Sequence, residues 1–252
     1  MLKKAVEKII WISAGVVIWH LGSMMTTPLF VPSPFAVINA LCGLISSDQL
    51  FQGLIYSFSR ITIAALISMA LAVPMAMLVC MCKQAKQIVQ PIVSAMRYVP
   101  VTAFSPLLIL WFGIEETMKI SFLFLATFVY LLPSTILCLE EVPKDLIDTG
   151  RSIGMRSHEI ISEILLPAAL PSIVNSFLMM YGIGWTYVAV VEAVNAKFGL
   201  GFIINVGAAR GKTSVVFASI LVIVVFSYLF DFIGHKIIRK VFRWRYLNDH
   251  IE

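Results

Sequence analysis

Charged residues are scarce in this chain of 252 residues. Asp, Glu, Lys and Arg occupy only 13% of the positions, whereas hydrophobic residues occupy 60%. Soluble globular domains carry roughly 25% charged residues, and the mean hydropathy of this chain is +0.93. The composition therefore excludes an ordinary soluble domain and indicates a chain whose surface faces lipid.

Residues that could support catalysis or bind a metal are also few. The four cysteines and four histidines are dispersed along the chain. Cys80 and Cys82 lack the second ligand pair that a zinc site requires. No Ser/His/Asp set and no pair of carboxylates with a catalytic spacing is present. We therefore expect no enzymatic activity, no metal and no cofactor in this chain.

The segment Gly207–Thr213 imitates a phosphate-binding loop without having its spacing. Such a loop has four residues between its glycines, and here three residues separate Gly207 from Gly211. The segment also lies between two apolar runs, where no buried strand of a soluble sheet precedes it. ATP is therefore not expected to bind to this chain.

Six apolar runs predict an all-α integral membrane protein, because a spanning helix needs roughly 20 mainly apolar residues. The runs cover residues 9–25, 54–81, 88–112, 119–139, 167–194 and 214–233. We predict one domain over residues 1–252, with an additional N-terminal span at 9–25, core spans within 54–233 and a basic tail at 234–252. Three prolines, Pro91, Pro100 and Pro106, predict kinks in the third span. A short interfacial helix is expected at 35–45.

The distribution of basic residues predicts the orientation of the chain. A net charge of +5 would also suit nucleic-acid binding, but the basic residues lie at the ends of the apolar runs. Thirteen Lys and Arg residues fall on the side of both termini and of residues 140–163, against four on the other side. Cytoplasmic loops carry the excess of positive charge. We expect both termini to be cytoplasmic, with membrane lipid and not nucleic acid around the chain.

Residues 140–167, called here the polar segment, interrupt the apolar runs. Pro143 and the acidic residues near it suit the start of a helix. Gly150 and Gly154 are four residues apart, which predicts a notch of small residues on one helical turn. Ser157 suits the N-cap of a second helix, and Pro167 is expected to break this helix from the fifth span. A plain connection could be much shorter, so we favour a docking surface over an ordinary loop.

The polar segment resembles the loop of ABC importer permeases that meets their ATPase. That loop has the pattern Glu-Ala-Ala, three residues, Gly, nine residues, Ile-x-Leu-Pro, and here Gly154 is followed by Ile164, Leu166 and Pro167 at this spacing. The chain departs from the pattern in one place. Asp148-Thr149-Gly150 stands where the family has Glu-Ala-Ala, and this Gly loosens the helix by roughly 1 kcal/mol relative to Ala.

The resemblance extends over almost the whole chain, which is similar to the nitrate/sulfonate/taurine/bicarbonate subfamily of these permeases. The residues that show this similarity are 31–34, 57–60, 111–114, 192–193 and 199–201, together with prolines of the third span. The subfamily implies a small, possibly anionic solute, sulfonate-, nitrate- or taurine-like, or else pyrimidine-like. It also implies a type I permease bundle in a bacterial-type inner membrane.

The resemblance implies a set of partners. These are a second copy of the permease, two ATPase subunits that bind ATP and Mg, and a substrate-binding protein outside the membrane. The residues that would contact the ATPase are Asp148, Thr149, Gly150, Gly154, Ile164, Leu166 and Pro167. An ATP-independent transporter or channel is the alternative, although no intramembrane acidic pair for ion coupling is visible. A membrane-embedded enzyme is a third hypothesis, which lacks a catalytic cluster.

Five further residues are candidates for the solute pathway, each with a structural alternative. Glu192 could face the pathway or pair with Lys197 at the membrane edge. Arg97 could attract an anion or extend to the lipid headgroups. The fifth span carries Asn175, Trp185 and Tyr187, which could line a conduit or simply pack.

Overall fold

A computed structural model describes residues 2–96 and 98–245 of the chain, and all regular secondary structure within these ranges is helical. The prediction of an all-α protein is therefore confirmed. The longer helices, in chain order, are α1 (Leu2–Met25), α2 (Pro34–Ser46), α3 (Gln49–Met81), α4 (Lys83–Met96), α5 (Ser105–Phe112), α6 (Glu116–Glu140) and α7 (Lys144–Ser152). They are followed by the short helix α8 (Ser157–Glu159), then α9 (Leu166–Glu192), α10 (Leu200–Ala209) and α11 (Thr213–Val241).

Four helical stretches among the described residues are long and apolar enough to cross a membrane. They are Gln49–Met81, Glu116–Glu140, Ser157–Glu192 and Thr213–Val241, which correspond to the predicted second, fourth, fifth and sixth spans. Helix α11 continues past residue 233, where the basic tail was predicted to begin, and ends at Val241. Arg239 and Lys240 lie in its last turn, where cations interact favourably with the helix dipole.

The predicted third span is not one kinked helix. Gln84–Met96 and Val101–Phe112 form two helical pieces whose axes differ by 94°. Pro100 forces the residue before it out of helical geometry, and Pro106 lies in the first turn of α5 rather than inside a helix. Residues 88–112 are therefore a broken span or a re-entrant loop, which gives a fifth candidate span.

The predicted first span is present as a helix, but its described apolar part, Ile10–Met25, is short. It falls below the roughly 20 residues that a perpendicular crossing needs. The structure thus has four candidate spans, or five with the bent pair, by length and composition. The total of six stays a prediction, and so does the single domain.

Two compact units divide the described residues. The first takes in residues from 1–58 and 192–226, and the second takes in residues from 59–191 and 227–252. In the first unit, the indole of Trp19 donates to the carbonyl of Pro32 at 3.1 Å and stacks on Phe217. Ser33 caps α2 by accepting from the amide of Ala36, as expected for this residue type. These contacts fasten α1, α2 and the start of α11 together.

The second unit has a continuous apolar core with polar cross-links between its helices. Fourteen buried residues of α3, α4, α6, the polar segment and α9 form one cluster, which includes Ala76, Leu132 and Ile173. The hydroxyls of Ser68 and Thr127 are 2.7 Å apart, so a hydrogen bond joins α3 to α6. Buried polar groups require such partners, and here these partners hold neighbouring helices in register.

Candidate functional site: the polar segment

The polar segment begins with α7, whose ends match the helix dipole. Pro143 immediately precedes the helix, Asp145 lies in its first turn and Arg151 in its last turn. An acid at the N-terminus and a base at the C-terminus each stabilise a helix. Residues 144–152 can therefore form a helix outside the membrane without a long apolar face.

Gly150 is the point where α7 packs against the rest of the second unit. It is buried, and a Cβ at this position would lie 2.6 Å from Cδ1 of Ile164 and 3.3 Å from Sδ of Met155. Ile161 and Leu165, on either side of Ile164, belong to the apolar core. Gly150 thus allows the α7 backbone to approach this core closely.

Gly154 has a different role, and the predicted notch on one helical turn is wrong. Helix α7 ends at Ser152, and Gly154 follows in a turn with φ +85°. It is exposed, and no atom lies within 4 Å of the position of a Cβ. Residues other than Gly rarely adopt this backbone region, so the turn between α7 and α8 requires a glycine at position 154.

The second helix of the polar segment starts one residue earlier than predicted, and Ser157 is not its N-cap. Arg156 holds that position, and its amide donates to Oε2 of Glu159 at 2.6 Å. A π-helical stretch, Ile160–Leu165, then leads directly into α9. Pro167 therefore does not break the helix, since the wider π turn accommodates a residue without an N–H.

The outward face of α7 is polar with apolar residues at its edges. Asp148 and Arg151 form an exposed ion pair at 3.2 Å, and the Thr149 hydroxyl donates to the carbonyl of Asp145 within the helix. Leu146 and Ile153 are 46% and 74% exposed. Exposed apolar side chains on a polar helix are typical of a protein contact surface.

We expect Gly150→Ala to reduce solute uptake, because its Cβ would meet Cδ1 of Ile164 and displace α7. Adding Ile164→Val removes that Cδ1 atom and should restore uptake in the double variant. The measurement is uptake into vesicles at matched chain levels. Equal uptake by Gly150→Ala and the unsubstituted chain would show that α7 tolerates the displacement.

Among the residues predicted for a solute pathway, Asn175 and Tyr187 lie far apart along α9. Arg97 lies outside the described residues. Asn175 is half-buried and lines a cavity of about 310 Å³ with Ser134 and Ser176. Trp185 is buried, and the ring of Tyr187 packs edge-on against Phe122. Asn175 and Tyr187 are about 18 Å apart along α9 by the rise per residue.

Glu192 is buried, and Lys197 is not among the partners that the structure gives it. The hydroxyl of Ser57 lies 2.8 and 2.9 Å from its two carboxylate oxygens, and the amide of Gly201 donates to Oε2 at 2.8 Å. Lys197 is exposed. The carboxylate thus takes hydrogen bonds from the first turn of α10 and from α3, which lowers the cost of its burial.

Sequence reasoning missed an ion pair between the buried Arg60 and the half-exposed Glu116. Nε of Arg60 lies 2.6 Å and Nη2 2.7 Å from the two oxygens of Glu116, a bidentate geometry that strengthens such pairs. The ammonium of Lys119 is also buried, 3.7 Å from Glu116, and donates to the carbonyl of Ile114. The sequence does show opposite charges at positions 60 and 116 next to apolar runs. Only the fold shows that these two side chains pair with each other.

The apolar helices that are long enough to cross a membrane, with the polar helix α7 packed against them through the buried Gly150, define the chain as a membrane protein. The sequence pattern of the binding-protein-dependent transport system inner membrane component matches residues 68–243. The chain belongs to this family and is the permease component of an ABC importer.

Individual relatives support the same assignment over nearly the whole chain. The taurine transport system permease protein TauC of Escherichia coli is 29% identical over 90% of this chain and 84% of its own length. The putative aliphatic sulfonates transport permease protein SsuC of Bacillus subtilis is 31% identical over 91% of this chain and 82% of its own. An inward-facing MetNI methionine ABC transporter structure has a TM-score of 0.69 at 22% identity, covering 77% of this chain and 96% of that one. This last likeness shows the fold alone.

Proposed function

We propose that this chain forms the translocation pathway for a small sulfonate- or taurine-like anion and that α7 transmits the force of ATP hydrolysis to it. The observation that carries the coupling role is the exposure of Leu146 on α7 and of Ile153 directly after it, on a helix that the buried Gly150 holds against the apolar core. The relatives named for taurine and aliphatic sulfonates support the solute class.

The proposed assembly contains two copies of this chain, two ATPase subunits that bind ATP and Mg, and a substrate-binding protein outside the membrane. Each ATPase would cover one α7 and the adjoining Gly154 turn. Both termini would lie on the ATPase side. Arg245 lines a cavity with Pro143 and Leu146 of the polar segment, and residues 3, 4 and 8 are Lys, which the excess of positive charge on the cytoplasmic side favours.

Coupling in this assembly requires that the ATPases contact α7 differently in the inward-facing and outward-facing states. ATP binding would bring the two ATPases together, move both α7 helices and turn the pathway outward, and hydrolysis would reverse the change. A partner can shift such an equilibrium only by as much as it prefers one state. The close contact of Gly150 with the core gives α7 little freedom to move without moving α9.

The test is affinity purification of the tagged chain from native membranes in mild detergent, followed by mass spectrometry. We expect an ATPase in equal amount with the permease, and loss of this ATPase from Gly154→Arg. A chain that carries no ATPase even after crosslinking would overturn the proposal in favour of an ATP-independent transporter.

A further inference from the structure

We propose that a pocket of the first unit, lined by Lys197 and Arg210, binds the oxyanion of an incoming solute. The inference rests on the proposed function, in which the solute is an anion. With both termini on the ATPase side, residues 195–213, between the predicted fifth and sixth spans, lie on the opposite, outer side of the membrane. The chemical class of the ligand is a small organic sulfonate or carboxylate.

The pocket lies beside the N-terminal turn of α3 and has a volume of about 390 Å³, within the range of small-molecule sites. Its polar lining comes from Gln49 and Gln52 of α3, Lys197 of the loop before α10, and Arg210 at the end of α10. Phe198 and Phe202 supply part of the apolar wall. The lining contains two cations and no carboxylate.

The two cations are exposed and are available to a ligand. Within the part of the chain that the structure describes, neither Lys197 nor Arg210 takes part in an ion pair. Cations are disfavoured on the outer side of a membrane protein, and only four are assigned there. One of these, Lys119, is buried and donates to Ile114, whereas the other three lie within 197–212.

The remaining lining suits an anion with an organic group. Gln49 and Gln52 are three residues apart on the first turn of α3, so they share one face. Their amide groups carry two N–H donors each, and the N-terminal end of the helix adds positive potential. An oxyanion can take charge-assisted bonds from Arg210 and Lys197, while its organic part contacts the phenylalanine rings.

The buried carboxylate of Glu192 lies behind the pocket wall and helps to hold the start of α10 in place. Ser57 both hydrogen-bonds Glu192 and accepts from the amide of Leu200 at 2.9 Å, and Gly201 donates to the same carboxylate. Gly199, which lines the pocket, has φ +138° and leaves no room for a Cβ in front of Glu192. These bonds fix the start of α10 against α3, so the cations at both ends of α10 keep their spacing.

The experiment detects binding of methanesulfonate by saturation-transfer NMR of its methyl protons. The full chain is purified with its accompanying ATPase, without a binding protein, and placed in phosphatidylcholine nanodiscs. We expect a methyl signal that falls about tenfold in Lys197→Gln/Arg210→Gln, as the loss of hydrogen bonds to charged groups predicts. The matched variant Lys212→Gln removes a cation two residues after Arg210 that does not line the pocket, and it should keep the signal.

A neutral probe of similar shape checks that charge decides the binding. Dimethyl sulfone should give no more than background signal with the unsubstituted chain. An undiminished methanesulfonate signal in the double variant, or an equal signal from dimethyl sulfone, overturns the proposal. Elution of the double variant at the unsubstituted position in size exclusion, with its ATPase attached, shows that the fold is retained.

A second set of nanodiscs containing phosphatidylglycerol separates a solute from a lipid headgroup. A methanesulfonate signal that persists there supports the solute, whereas its loss in these discs alone reassigns the pocket to lipid phosphate and overturns the solute proposal. Failure of the proposed function would instead show as a permease purified without ATPase, an outcome that is scored separately from methanesulfonate binding.

Discussion

Gly154→Arg is expected to abolish ATP-driven uptake while the chain still inserts into the membrane. The turn between α7 and α8 requires φ +85° at this exposed position, and a residue with a Cβ adopts that region at a cost of roughly 1–2 kcal/mol. Relief of this strain would move α7, and the added charge would stand beside the exposed side chain of Ile153. The measurement is solute uptake into energised vesicles, with chain levels determined by immunoblotting.

Gly113 serves as a control for the Gly154 turn in the same unit. It also has a positive φ, +71°, and no atom within 4 Å of a Cβ position, and its ψ of −160° lies in a region that only glycine adopts readily. It caps α5, whereas Gly154 follows α7. We expect Gly154→Ala to lower uptake more than Gly113→Ala does, and Gly154→Asn to retain more uptake than Gly154→Arg because Asn tolerates this region. Uptake at the unsubstituted level in Gly154→Arg would contradict the coupling role.

Glu116→Ala is expected to destabilise the chain more than any other carboxylate substitution discussed here. Arg60 is 3% exposed, and it would lose both bonds of a bidentate pair. A hydrogen bond to a charged group contributes about 1.5–3 kcal/mol, and because Glu116 is 53% exposed and water replaces part of the interaction, we expect a loss of about 1–2 kcal/mol. The measurement is thermal unfolding in detergent, followed by tryptophan fluorescence.

The exposed pair Lys86 and Glu140 is the control for Glu116. Its N–O distance is also 2.6 Å, but the side chains are 45% and 33% exposed, so water can replace the partner. Glu140→Ala should therefore leave the unfolding temperature nearly unchanged. If Glu116→Ala and Glu140→Ala lower the unfolding temperature equally, the burial of Arg60 does not determine how much its ion pair contributes to stability.

Hydropathy was enough to predict the helices that are apolar over a full span. It was not enough where prolines interrupt an apolar run, because the effect of a proline depends on its surroundings. Residues 54–81 form one helix despite Pro74, whereas residues 88–112 are broken at Pro100. The same residue type gives both results because the neighbouring helices decide whether the freed carbonyl finds a partner. Proline position alone therefore could not distinguish a continuous helix from a break.

In the polar segment, too, residue spacing predicted that an element exists but not which contacts its residues make. The spacing from Gly154 to Pro167 predicted a specific element, but it placed both glycines on one helix. In the structure Gly150 fits against Ile164 and Gly154 forms a turn. The sequence shows that both positions are glycine. Only the φ angle and the neighbouring atoms show that one glycine permits a close approach and the other a backbone conformation with positive φ.

The sequence by itself determined the membrane class, the main spans, the family pattern and the lack of a phosphate-binding loop, because composition and local spacing carry these features. The tertiary structure alone decided that Arg60 pairs with Glu116, that Glu192 bonds Ser57, and that Lys197 and Arg210 line one pocket. Each of these contacts joins residues between 13 and 135 positions apart. Their existence depends on how helices pack, which no local pattern encodes.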